Sequence, residues 1–138
     1  MDKIQRLEKI RELKEFVDQI NNESTKDSLI LVEGKRDLEA LSYLGCSGNI
    51  QAYHNYKSIV DLADNFRVKY KKLILLLDLD DTGRIMTRKI SHILNQRYID
   101  NYYRNKIIRI TQGKIRTIEE LRSFYNSMLW NEKKVKIF

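Results

Sequence analysis

Apolar residues recur every three or four positions over residues 3–20, at Ile4, Leu7, Ile10, Leu13, Val17 and Ile20. That spacing predicts an amphipathic helix. The polar stretch Asn21 to Asp27 reads as a loop. The pattern then changes to an unbroken apolar run, Leu29-Ile30-Leu31-Val32, as expected of a strand buried on both faces. After Glu33-Gly34-Lys35, a short helix is expected over 37–44, with Leu38, Leu41 and Leu44 inward and Gly45 and Gly48 breaking it. Ile50 to Tyr53 reads as a strand. Ser58 to Tyr70 reads as a helix with Ile59, Leu62, Ala63 and Phe66 on one face. A second all-apolar run, Leu73 to Leu77, leads straight into Asp78-Leu79-Asp80-Asp81-Thr82-Gly83-Arg84. A long helix is expected from there to the neighbourhood of Asp100, with Ile85, Ile90, Ile93 and Leu94 inward. Lys106 to Ile110 reads as a strand. Thr117-Ile118-Glu119-Glu120 predicts a capping box that opens a final helix lined by Leu121, Phe124, Tyr125 and Met128.

Strands and helices alternate, which implies right-handed βαβ units: about four parallel strands with helices on both faces. The fold class is therefore α/β. Residues 1–27 are expected to form an N-terminal helix and loop packed on the domain that spans 28–138, rather than a coiled-coil zipper. In such sheets ligands gather at the carboxyl ends of the strands. Glu33 follows one apolar strand and Asp78, Asp80 and Asp81 follow another, so four carboxylates are expected on one rim. Crowded carboxylates repel, and one would hold a proton near neutral pH unless a divalent cation resolves the conflict. Oxygen-only ligands favour Mg²⁺, Mn²⁺ or Ca²⁺ over Zn²⁺. A purely structural role, as a polar turn and helix cap, accounts well for Asp81. It accounts poorly for Asp78, which directly follows five apolar residues. Glu33 has the alternative of a strand-terminal surface charge. His54 and His92 do not share a metal-ligand spacing, and Cys46 reads as a small, buried or half-buried thiol.

Charge changes the picture further. Residues 1–83 hold 13 Lys and Arg against 15 Asp and Glu, whereas residues 84–138 hold 13 against 4. The whole excess behind the net charge of +7 thus lies in the last 55 residues. Such a concentration suits either a solvated surface or a polyanion-binding face that gains by releasing counterions. Tyr98, Tyr102 and Tyr103 interleave with Arg104 and Lys106, an arrangement that either stacks bases or covers the sheet edge. One cysteine excludes a disulfide scaffold. No apolar run is long enough for a membrane span, and the charged start is unlike a signal peptide. A cytoplasmic protein with no membrane partner is expected. There is no proline, so turns rest on Gly, Asn, Asp and Ser.

Leu31-Val32-Glu33-Gly34-Lys35-Arg36-Asp37 and Leu76-Leu77-Asp78-Leu79-Asp80-Asp81-Thr82-Gly83-Arg84 resemble the two motifs of the Toprim domain, a Rossmann-like fold. That domain is shared by type IA and II topoisomerases, bacterial primases, recombination-repair proteins, old-family nucleases and the ribonuclease that matures bacterial 5S ribosomal RNA. The chain also resembles the small stand-alone Toprim proteins of archaea, through its charged first helix, His54-Asn55-Tyr56-Lys57-Ser58, and the Thr-Ile-Glu-Glu-Leu start of its last helix. The resemblance implies that Glu33 is a metal ligand or general acid/base, that Asp78 and Asp80 hold Mg²⁺, and that Gly83 lets the following helix start near a phosphate. Arg84 departs from the glutamate that topoisomerases and the 5S-maturing enzyme usually place there.

A metal held by Glu33, Asp78, Asp80 and Asp81 would orient a water or hydroxyl and neutralise charge on a phosphodiester. Gly34, Lys35, Arg36, Asn55, Lys57, Gly83 and Arg84 are the expected phosphate contacts. The resulting expectation is a small Mg²⁺-dependent (or Mn²⁺-dependent) nuclease on nucleic acid. RNA is favoured over DNA by analogy with the 5S-maturing ribonuclease. The alternative is a non-catalytic, metal- and nucleic-acid-binding adaptor module of a larger complex, with a protein partner or a second copy docked through the N-terminal helix. A phosphatase or nucleotide-handling enzyme is a weaker third option. The chain has no room for topoisomerase gates.

Overall fold

The computed structural model describes the backbone of residues 1–137 and the side chains of residues 1–129. Phe138, the end of the expected 28–138 unit, lies outside the described residues, as do the side chains of 130–137. Helix α1 (Lys3–Glu23) precedes strand β1 (Ser28–Val32), α2 (Lys35–Leu44), β2 (Ile50–Ala52), α3 (Ile59–Lys69) and β3 (Lys72–Leu76). Then come α4 (Asp81–Leu94), β4 (Ile99–Asp100), α5 (Tyr102–Thr111) and α6 (Glu120–Ile137). The strands form one parallel sheet in the order β2-β1-β3-β4.

The unbroken apolar runs are the two central strands. Because side chains alternate across a strand, each run supplies both faces. Ile30, Val32, Ile74 and Leu76 face a layer made with Leu13, Phe16 and Ile20 of α1, Leu41 of α2, Tyr103 and Ile107 of α5, and Leu121 of α6. Leu29, Leu31, Leu73 and Leu75 face Leu62 and Phe66 of α3 and Ile90 and Leu94 of α4. The first helix is thus packed within the fold. Its stripe is rotated toward Phe16, which is fully buried and meets the Tyr103 ring edge-on at 5.7 Å. Ile4 and Leu7 at its start remain exposed.

Two elements differ from the sequence reading. Lys106 to Ile110 is not a strand but the middle of α5, and the fourth strand is the short pair Ile99–Asp100. The β-branched cluster at Ile107, Ile108 and Ile110 suggested a strand. The buried set Tyr103, Ile107, Ile110 and Thr111 follows helical spacing instead. The helix expected to reach Asp100 ends at Leu94, because Asn95 takes a positive φ of 73° that a helix cannot continue through. Ile85 and Ile93 of that helix are exposed rather than inward.

The last helix also starts differently. It begins at Glu120, and the Glu120 carboxylate accepts the Arg116 N–H (2.9 Å) rather than closing a box with Thr117.

Candidate functional site

Strands β1 and β3 pair in parallel with Val32 opposite Leu76. Their carboxyl ends coincide, and Glu33 and Asp78 leave the sheet side by side. Together with Asp37 and His54 they line a cleft of about 300 Å³, with Lys35, Arg36 and Glu119 at its walls. The Glu33 carbonyl accepts the His54 N–H (3.2 Å), which draws the turn after β2 to the same edge.

Asp78 is the most perturbed acid. Burial pushes its carboxyl up to about 8, helped by a hydrogen bond with Glu33 and by the negative charges of Glu33, Asp37 and Asp80. Its Oδ1 is buried and receives no hydrogen bond among the described residues. Without a cation, burial and the neighbouring acids therefore favour the protonated Asp78 carboxyl at neutral pH. A donor-free, buried carboxylate oxygen among acids matches the hard oxygen set that Mg²⁺ or Mn²⁺ takes.

The other acids of the rim hold the backbone. Asp80 is the N-cap of α4 and accepts the Gly83 N–H on Oδ1 (2.9 Å). Asp81 opens the first turn, exposed, and pairs with Arg84 at 3.4 Å. Gly83 is required by packing: a Cβ there would lie 1.8 Å from the Asp78 carbonyl oxygen. Among the described residues, no three His, Cys, Asp or Glu side chains stand in ready-made metal-binding geometry.

The expected phosphate contacts divide. Gly34, Lys35 and Arg36 belong to the cleft. The Lys35 and Arg36 side chains are largely exposed, with long ion pairs to Glu39 (4.0 Å) and Glu119 (3.7 Å). Asn55 and Lys57 are exposed on the same edge without lining the cleft. Arg84 is exposed on α4, beyond Asp81.

Three residues of this neighbourhood escaped the sequence reading. Asp37 is buried, and its two oxygens accept the N–H groups of Gly34 (3.0 Å) and Glu119 (2.8 Å), clasping the start of α2 to the approach to α6. The signal available was an acid three residues after Gly34, the N3 position of a helix. His54 reaches the cleft although it carries no ligand spacing. Arg104 is 6% exposed, and its Nη2 donates to the Asp78 carbonyl (2.7 Å). Burial lowers the proton affinity of its guanidinium. Nothing in its local sequence marks that role, which depends on α5 passing behind the β3 loop.

The aromatic residues interleaved with basic ones are mainly structural. Tyr103 is fully buried and donates to the Gln19 carbonyl (3.3 Å), and Tyr98 packs on Phe66. Tyr102 is exposed, with Lys106 over its ring. No helix among the described residues is long and apolar enough to cross a membrane.

Residues 28–112 match the family profile of the Toprim domain. Over 129 residues the chain is 31% identical to a UPF0292 protein of Methanocaldococcus jannaschii, covering 92% of this chain and all of that one. It is 30% identical over 130 residues to a UPF0292 protein of Methanosarcina acetivorans, covering 89% and 84% of the two chains. A solved structure described as a putative protein from Aquifex aeolicus superposes with a TM-score of 0.63 at 31% identity. That match covers 77% of this chain and 94% of the other.

Proposed function

The chain belongs to the Toprim-domain family, and from that premise we propose that its carboxylate cleft cuts phosphodiester bonds in nucleic acid, with RNA as the substrate. Membership itself carries a metal-dependent, nucleic-acid-related function. The observation that supports a working site is the Asp78 Oδ1, buried beside Glu33 without a donor. Glu33 and Asp78 would hold the Mg²⁺ or Mn²⁺, with Asp80 as a further candidate ligand on the same rim. A bound cation there supplies charge neutralisation on the phosphate and a more acidic water. Lys35 and Arg36, free of tight ion pairs, draw the phosphodiester to the cleft mouth. His54 moves a proton at the edge of the cleft, where its ring stands near the Gly34 backbone. Arg104 fixes the backbone from which the Asp78 carboxylate extends. The cytoplasm is the proposed setting.

The test is cleavage of labelled single- and double-stranded RNA and DNA with Mg²⁺ or Mn²⁺. Wild type is run beside Glu33→Gln and Asp78→Asn. Metal-dependent cutting lost in both variants supports the nuclease.

A second reading is a non-catalytic adaptor that binds metal and nucleic acid. The use of Asp80 as a helix cap favours it, because that carboxylate already has a structural task. No cutting, together with salt-sensitive binding retained in Asp80→Ala, would select the adaptor. Pairing of two copies through α1 would use the exposed Ile4 and Leu7.

A further inference from the structure

A second cavity stands apart from the carboxylate cleft. It has a volume of about 650 Å³ and lies between α4 and the segment that carries β4 into α5. Arg88, Ser91, His92, Gln96 and Asn101 contribute to its wall, with Ile99 as an apolar side. No acid lines it. Asp100, between Ile99 and Asn101 in the chain, is engaged by Lys72 (3.2 Å) and by the Tyr102 N–H (2.8 Å). This size falls within the range of small-ligand sites.

Its polar groups are unevenly satisfied. The Thr87 and Ser91 hydroxyls donate into the helix, to the carbonyls of Gly83 (2.8 Å) and Thr87 (2.7 Å), so each offers only acceptor capacity outward. Asn101 stands at the start of α5 without capping it. Its Oδ1 is buried and receives no hydrogen bond among the described residues. A buried acceptor costs free energy unless a donor arrives. The wall thus presents a buried acceptor, further hydroxyl acceptors, an apolar side and two basic residues. That combination suits a nucleotide: an N–H edge of the base toward Asn101, its face on Ile99, and its phosphate toward Arg88.

Position supports the same occupant. Asn101 directly follows β4, and the pairing of Asp100 with Ile74 sets it level with Leu75, three residues or roughly 10 Å short of Asp78 along the strand direction. Helix α4 begins at the carboxylate rim and continues along the cavity. At 1.5 Å per residue, Arg88 to His92 lie roughly 10–16 Å beyond Asp81. Arg84 and Arg88, four residues apart, share a face of that helix.

We propose that this cavity receives an unpaired nucleotide of the strand whose phosphodiester lies in the carboxylate cleft, so that the ligand is single-stranded nucleic acid. The inference rests on the nucleic-acid reading given above. Base pairing removes the Watson–Crick edge that Asn101 would bind, so a duplex cannot fill the cavity.

The chain has two histidines, His54 in the cleft and His92 in the cavity wall, so their ring signals in NMR report on the two places separately. The full chain would be titrated with Mg²⁺ alone, with a single-stranded pentaadenylate, with its fully abasic counterpart and with a blunt duplex. Mg²⁺ alone should move His54 and leave His92. Pentaadenylate should move both. Loss of the bases should weaken binding about tenfold, measured on the unaltered protein. Arg88→Gln, at an exposed position, should weaken pentaadenylate binding several-fold. Asn101→Leu should abolish the His92 shift while the circular dichroism spectrum is retained.

A pentaadenylate that moves only His54 would overturn the cavity proposal and leave the nucleic-acid reading standing. Equal affinity for the abasic strand or the duplex would also overturn it. If no nucleic acid moves either histidine, both readings fall together.

Discussion

Replacing Asp78 by Asn should make the metal-free protein more stable, and the gain should grow with pH. The Asp78 carboxyl titrates near 8 in the fold and near its ordinary 3.8 in the unfolded chain. Between those limits the folded state holds a proton that the unfolded state has released. Stability from this group therefore falls as pH rises from about 4 to about 8. Below that window both states are protonated and the group contributes nothing. Above it, the full cost of a charged, buried carboxylate beside Glu33 applies. A shift of about four units would correspond to about 5 kcal/mol. Solvent access to the half-buried carboxyl and relaxation of Glu33 reduce the expected cost to about 1–2 kcal/mol. For a chain of 138 residues that is roughly a 3–8 °C change in Tm. The asparagine keeps the shape and adds a donor toward Glu33.

The assay is urea and thermal unfolding of both proteins in EDTA, at about pH 5 and about pH 8. Other titrating groups contribute to both proteins and cancel in the difference. The variant should nearly match wild type at the lower pH and exceed it at the higher one. Millimolar Mg²⁺ should raise the Tm of wild type at pH 8 and leave the variant unchanged. A variant less stable than wild type at pH 8, or a pH slope identical in the two proteins, would refute the carboxylate-crowding argument.

Other outcomes follow from the packing. Gly83→Ala places a methyl on the Asp78 carbonyl and should cost about 3 kcal/mol or more, seen as loss of cooperative unfolding. Asp37→Ala leaves the Gly34 and Glu119 N–H groups without their acceptor and should cost about 2–3 kcal/mol by urea denaturation. Arg104→Met keeps much of the buried volume but removes the donor to the Asp78 carbonyl. It should cost about 1–3 kcal/mol and lower the affinity of the cleft for Mg²⁺, measured by calorimetry. Phe16→Ala should cost about 3–5 kcal/mol and loosen α1 first, read by amide exchange over residues 10–20.

The sheet was legible because β1 and β3 are buried on both faces and so write continuous apolar runs. Their ends placed Glu33 and Asp78 together without any long-range information. The edge was less legible. Strand β4 is two residues long, too short to carry a pattern, and the isoleucines of α5 mimic one. The acids after β3 could be located but not sorted. Whether a carboxylate faces the cleft or caps a helix depends on the turn at Gly83, and that turn is set by its contact with the Asp78 carbonyl. Asp37 and Arg104 were hidden for a related reason. Asp37 has one partner in the approach to α6, 82 residues away, and the partner of Arg104 is a backbone carbonyl in the β3 loop. Local spacing contains neither contact.

The packing of α1 has a consequence for how the chain is made. Its buried face is completed only by α5 and α6, and the bond from Tyr103 to Gln19 spans 84 residues. At roughly 5–20 residues per second, that helix emerges from the ribosome about 4–17 s before α5 exists. Leu13, Phe16 and Ile20 lack part of their cover through that interval. The charged residues that crowd the same helix, Lys9, Arg11, Glu12, Lys14, Glu15 and Asp18 among them, keep a nascent amphipathic segment from associating with its neighbours while the rest of the sheet is still being translated.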